Sequence, residues 1–150
     1  MKLKSPVYIL AAYADGEGDP EMLDDWYATL TEYLTTITDL RFGECVGNYC
    51  GERERGFILA NTTDAVVLEL AKDFEQECVL KTDGQRAAFL LYVDGGVESL
   101  GWLVGSTVPP EGVDYTYSPV TKGYYYTRGV RHWVVPRPEK AEAFIEEGSE

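Results

Sequence analysis

An amphipathic helix near the N-terminus is the sequence feature that most constrains the fold. At about 100° per residue, seven apolar side chains fall within an arc of about 120°. They are Leu23, Trp26, Tyr27, Leu30, Tyr33, Leu34 and Ile37. Asp19 and Pro20 are the residue types favoured at an N-cap and at the first helical position. So broad an apolar stripe requires a partner surface, and we expect this helix to pack on a sheet.

Apolar runs separated by turn residues predict the remaining elements. We expect strands at 7–13, 41–50, 56–60, 78–81, 87–93 and 97–104, a second helix at 64–75, and a last hairpin from 115–117 and 124–126. The order β-α-β-β-α-β-β-β predicts an α+β fold. Its core would be ferredoxin-like, a mostly antiparallel sheet with two helices on one face and an extra C-terminal hairpin.

The length of 150 residues suits one domain. We therefore assign residues 1–150 to a single domain, and 139–150 to a short acidic C-terminal helix or tail. The apolar run of 7–13 is too short for a signal sequence, and three cysteines do not suit a secreted disulfide framework. We expect a cytoplasmic protein of a bacterial host, either a monomer or a homodimer.

Acidic side chains outnumber basic ones by 26 to 13, and the formal net charge is −13. Such a field repels phosphate backbones and anionic membranes and attracts basic protein surfaces. The excess is uneven: residues 1–114 hold 21 acidic and 8 basic side chains, whereas 115–150 hold five of each. We expect a basic protein partner, with no direct nucleic-acid or membrane contact. The alternative is that the charge serves solubility alone.

The polar side of the first helix is the candidate partner-binding surface, which we call the acidic face. It comprises Glu21, Asp24, Asp25 and Glu32, with Asp15 and Glu17 from the preceding loop. Carboxylates at helical spacing can imitate the charge of a phosphate backbone. We interpret the face as a docking surface for a host protein that handles nucleic acid or serves in defence. The alternative is a well-capped, solvated helix.

A tyrosine-rich, basic segment near the C-terminus is a secondary candidate surface. Its residues are Tyr115, Tyr117, Tyr124, Tyr126, Arg128 and Arg131. Aromatic rings beside cations are typical of platforms that stack single-stranded nucleic acid, but the net charge opposes that use. The alternative function is a pocket between the sheet and this hairpin for a small molecule or nucleotide, in a binding protein or an enzyme.

Motifs for catalysis and metal binding are absent from the sequence. The single histidine, His132, has no spacing that pairs it with Cys45, Cys50 or Cys78. The acids of the loop at 15–19 lack the remaining ligands of an EF-hand. We therefore predict no catalytic residue, no metal and no cofactor, and favour a binding protein over an enzyme.

Residues 43–104 resemble a group of small phage and mobile-element proteins of unknown function. The resemblance rests on a charged turn before Gly56-Phe57-Ile58-Leu59, a helix exit at 74–80 (FEQECVL), and the segments 91–95 (LYVDG) and 100–101 (LG). It implies an accessory role, such as blocking a host defence, because small acidic phage proteins resemble inhibitors that mimic DNA. It carries over no catalytic residue.

Overall fold

The computed structural model describes residues 6–83, 86–119 and 121–138. These ranges contain nine strands and two α-helices. In chain order they are β1 (Val7–Ala14), α1 (Pro20–Thr35), β2 (Arg41–Tyr49), β3 (Glu52–Ala60), α2 (Asp64–Asp73), β4 (Cys78–Thr82), β5 (Ala87–Tyr92), β6 (Val97–Ser106), β7 (Tyr115–Ser118), β8 (Gly123–Arg128) and β9 (His132–Val135). A single 3₁₀ turn, Asp15–Glu17, joins β1 to α1. The helix or tail predicted at 139–150 lies outside the described residues.

Eight of the strands close into an antiparallel barrel. The order around the barrel is β1-β3-β2-β7-β8-β6-β5-β4, with β4 paired back to β1, and β9 is an extra strand on β6. The predicted ferredoxin-like α+β fold with an open sheet is therefore wrong. The C-terminal hairpin does not merely extend a sheet: β7 pairs with β2 and β8 pairs with β6, so the hairpin joins two edges and removes both.

A bend in β6 makes this closure possible. The first half of β6 pairs with β5, and its second half pairs with β8, with a register shift in the β5 pairing next to Gly101. Gly101 has φ +89°, and a Cβ at this position would lie 2.2 Å from the carbonyl oxygen of Arg128. Only glycine combines that backbone conformation with so close an approach of two strands.

Both helices pack on the outside of the barrel, against β1, β3, β4 and β5. The main core lies in this layer, where Tyr27 stacks on Phe57 with ring centroids 4.6 Å apart. Its other fully buried members include Leu10, Leu34 and Val67. The outer layer buries Leu23, Tyr27, Leu30 and Leu34 of the predicted stripe, with Trp26 and Ile37 packed partly buried against the core. Tyr33 is exposed, and Ile37 lies beyond the end of α1.

The opposite face of the same strands lines the barrel interior. On β1, Leu10 and Ala12 belong to the outer core, whereas Ile9 and Ala11 point inward. The apolar run of β1 therefore serves two compartments, because alternate side chains of a strand face opposite sides.

Candidate ligand-binding cavity

A cavity of about 330 Å³ occupies the inside of the barrel. The aliphatic part of its lining comes from β1, β4, β5 and β6, and the remaining lining residues are polar, charged or aromatic. The aliphatic lining residues are Ile9, Ala11, Leu80, Leu90, Leu100 and Leu103. An eight-stranded barrel is just wide enough either to be filled by side chains or to hold one small ligand. The side chains of this barrel leave part of its interior unfilled.

Small residues at inward positions keep the interior from filling. Gly56 is the cross-strand partner of Ala11, so β3 places no side chain beside it. The ring of Tyr49 lies over Gly47, since a Cβ there would be 2.1 Å from its Cε2 atom. On β6, Gly105 is the cross-strand partner of Tyr125, which lines the cavity.

The charged lining residues lie toward one end of the barrel, which we call the acidic end. Strands β3, β4 and β7 begin at this end. Their antiparallel neighbours β1 and β2 run toward it. Near these strand starts lie Glu54, Asp114 and Cys78. Asp114 and Arg131 are exposed, so the cavity reaches solvent at this end.

Glu54 is the lining residue with the most perturbed carboxyl group. It is partly buried, and no described residue donates a hydrogen bond to it or forms an ion pair with it. Desolvation raises the pKa of Glu54, and the nearby charges of Glu17, Glu52 and Asp114 raise it further. An unpaired carboxylate near other carboxylates favours a cation at this position.

The other two charged lining residues, Arg131 and Asp114, have partners. The Arg131 guanidinium donates from Nη2 and Nε to the two Glu98 oxygens at 2.8 and 3.1 Å. Tyr92 also donates its hydroxyl to Glu98, at 3.2 Å. Asp114 accepts a hydrogen bond from the backbone N–H of Cys50 at 2.9 Å. Arg131 is thus neutralised by Glu98, and its charge is not free for a ligand anion.

Neutral polar groups complete this end. Tyr49 and Thr116 share a hydrogen bond between their hydroxyl groups, and burial raises the pKa of Tyr49 to about 12. Burial likewise raises the pKa of the Cys78 thiol to about 11. Cys45, buried in β2, has its pKa raised to about 12 by desolvation. These two thiols are protonated near pH 7, whereas a nucleophilic cysteine acts as the thiolate.

His132 does not supply a site of its own. It is exposed at the start of β9, with Nδ1 3.4 Å from the carbonyl oxygen of Val130. In the described ranges, no three His, Cys, Asp or Glu side chains come together as metal ligands do. The loop at 15–19 forms the 3₁₀ turn and the N-cap of α1.

The acidic face lies on α1 and the 3₁₀ turn, and its six carboxylates are exposed. Two of them form ion pairs with β3: Asp24 with Arg55 at 3.1 Å and Asp15 with Arg53 at 2.9 Å. Among the described residues, Glu17, Glu21, Asp25 and Glu32 form no ion pair. The free charge of the face is therefore smaller than the sequence indicates.

The tyrosine-rich surface borders the cavity and also forms an aromatic cluster of its own. Tyr115, Tyr126 and Arg131 line the cavity. The Tyr124 ring packs on the rings of both Tyr115 and Tyr117, with centroids 5.5 and 4.8 Å apart. The Arg128 guanidinium lies 5.9 Å from the Tyr126 ring centroid. The pairing of Tyr117 with Tyr124 and the alternation of side chains place the four tyrosines on one face of the β7–β8 hairpin. Arg131 is held apart by its ion pair with Glu98.

Sequence reasoning missed most residues of the cavity. The sequence predicts a charged turn for the segment that holds Glu54, and for Leu80 and Leu90 it predicts only membership of strands. Alternation along β3 marks Glu54 as facing away from Phe57, but only closure of the barrel shows what it faces. No family model matches the sequence, and no curated protein matches it either. None of the helices described is long and apolar enough to cross a membrane.

Proposed function

We propose that this protein binds a small, largely apolar molecule inside its barrel. The cavity of about 330 Å³ carries this proposal. Protein sites for small molecules measure roughly 300–1,000 Å³ and combine apolar walls with a few polar groups. The barrel has aliphatic walls and a polar acidic end, and that end supplies a route of entry.

The volume sets the size of the ligand. An apolar cavity of about 150 Å³ holds one benzene molecule, so this cavity accommodates a ring with a short aliphatic chain. The aliphatic side chains of four strands provide its contacts. Burial of apolar ligand surface supplies about 25 cal/mol per Å², so hydrophobic contact is the main source of affinity.

A thermal-shift experiment tests the proposal with 4-phenylbutan-1-ol as the probe. At a concentration one hundred times its Kd, a ligand stabilises the folded state by about 2.7 kcal/mol. For a chain of this size that corresponds to a rise of about 5–10 °C in melting temperature. The Ala11→Phe variant, whose added ring occupies the cavity, should lose the rise. An equal rise in both proteins, or none in either, would contradict binding inside the barrel.

A second candidate function rests on the acidic face. Glu21, Asp25 and Glu32 are exposed and without ion pairs among the described residues. We propose that they bind a basic, nucleic-acid-handling protein of a bacterial host. Such binding weakens as salt screens the charges.

The acidic-face proposal is tested with a matched pair of charge reversals. The Glu21→Lys/Asp25→Lys variant should no longer retain a basic protein that the wild type retains from bacterial lysate and releases in moderate salt. The Glu69→Lys/Glu111→Lys variant has the same net charge, with both changes at exposed sites off the face, and should retain it. Loss from both variants, or from neither, would refute a role for α1.

A further inference from the structure

We infer that the ligand of the cavity is a cationic amphiphile, an apolar body with one ammonium group that is bound by Glu54 at the acidic end. This inference rests on the proposed function, and it adds the chemical class of the ligand. It follows from the charges of the cavity lining, from the field around Glu54 and from the tyrosine near it.

One of the charged residues that line the cavity lacks a hydrogen-bond or ion-pair partner among the described residues. Three charged residues line the cavity: Glu54, Asp114 and Arg131. The Arg131 guanidinium is held by both oxygens of Glu98, and Asp114 accepts the Cys50 N–H. In the part of the chain that the structure describes, Glu54 alone of the three has no hydrogen bond or ion pair. A partly buried carboxylate without a partner is costly unless a ligand supplies one.

The second observation is the sign of the local field. Glu17, Glu52 and Asp114 are the charged groups that act on Glu54, and all three are acidic. A ligand carboxylate or phosphate at this end would be repelled by four carboxylates. A ligand ammonium is attracted by them and donates charge-assisted hydrogen bonds to Glu54.

The third observation is the aromatic content of the lining. Tyr49, Tyr115 and Tyr126 line the same cavity as Glu54. The face of a tyrosine ring attracts an ammonium group within about 6 Å of its centroid. Of these tyrosines, Tyr49 lies close enough to Glu54 for the charge of Glu54 to act on it. A carboxylate with a neighbouring tyrosine ring suits an organic cation, and the aliphatic part of the lining suits its apolar body. A hydrated metal ion would leave that part of the lining uncovered.

Three probes with one apolar body and different head groups test this inference. They are 4-phenylbutylamine, 4-phenylbutan-1-ol and 4-phenylbutyrate, titrated into the wild-type protein by isothermal calorimetry at pH 7.5. We expect the amine to bind about 10- to 100-fold more tightly than the alcohol, the range of one charged hydrogen bond. The carboxylate should bind most weakly.

The Glu54→Gln variant identifies the residue responsible. Its affinity for the amine should fall to that for the alcohol, while its affinity for the alcohol stays within about twofold of wild type. Glu69→Gln, at an exposed position on α2, is the matched control and should keep the full preference for the amine. Because the three probes are compared first in the wild type, a variant that folds poorly does not decide the outcome.

The results separate the ligand class from the binding function. Equal affinity for amine and alcohol, or tighter binding of the carboxylate, overturns the cationic ligand and leaves the cavity as a binding site. An amine preference that survives Glu54→Gln overturns the role of Glu54. Failure of all three probes to bind the wild type overturns the inference together with the proposed function.

Discussion

Two adjacent alanines on β1 test whether the barrel interior is less tightly packed than the outer core beneath the helices. Ala11 lines the cavity, whereas Ala12 is 1% exposed and belongs to the outer core beneath the helices. Each is changed to phenylalanine. The sequence change and its position in the chain are nearly identical, so the two variants differ mainly in the space that receives the ring.

The expected magnitudes differ in sign. At Ala11, burial of a phenylalanine side chain stabilises the fold by about 1.5–3 kcal/mol, less roughly 0.5–1 kcal/mol for fixing its rotamer. The variant should be about 1–2 kcal/mol more stable than wild type. At Ala12 the ring meets close-packed side chains, and overpacking costs about 1–3 kcal/mol.

Urea denaturation followed by circular dichroism measures both changes. The account predicts a gap of about 2–5 kcal/mol between the variants, with Ala11→Phe the more stable. A destabilisation of Ala11→Phe equal to that of Ala12→Phe would refute the reasoning, because it would show an interior as fully packed as the outer core.

Three further predictions concern charge, packing and backbone. Glu54→Gln should be more stable than wild type at pH 7.5 and no more stable near pH 4, measured by urea denaturation at both values. The raised pKa of Glu54 means that the stability associated with its protonation is present at low pH and is lost as pH rises through that pKa; a constant difference would contradict this. Phe57→Ala should lose about 3–5 kcal/mol, because the ring is fully buried and stacks on Tyr27; a loss under about 1 kcal/mol would refute its central place in the core. Gly101→Ala should lower the melting temperature by several degrees more than Gly112→Ala, since both have positive φ but only Gly101 lies against another strand.

Local structure was predictable because its causes are local. The apolar period of α1 and the turn residues Asp94-Gly95-Gly96 predict a helix and a hairpin that the structure contains. The second helix begins at Asp64 as predicted, because the Thr63 side chain caps it through the N–H of Val66. Each feature depends on residues within one or two turns of chain.

Closure of the barrel was not predictable from the same patterns. It depends on the pairing of Val46 with Tyr117 and of Val104 with Tyr126, residues far apart in sequence or on opposite sides of a loop. The tyrosine alternation of β7 and β8 indicates strands, but it does not state which edges they join. An open sheet with a trailing hairpin satisfies the sequence pattern equally well, and for that reason the predicted fold was wrong.

The cavity was beyond sequence reasoning for a related reason. Ile9 and Ala11 look the same in sequence as the outer-core residues of β1, because both faces of the strand are apolar. Similarly, exposed acids on α1 follow from helical periodicity, but the ion pair between Asp24 and Arg55 depends on how the helix lies across β3. The number of free charges on a surface therefore needs the tertiary structure.

Nuclear Overhauser contacts between a bound probe and leucine methyl groups test the central claim most directly. With 4-phenylbutan-1-ol at a saturating concentration, the account predicts contacts from its ring to Leu80, Leu90 and Leu103, which line the cavity. It predicts none to Leu10 or Leu59, which are fully buried in the outer core. Contacts to the outer-core leucines, or none to the three inner ones, would contradict a ligand site inside the barrel.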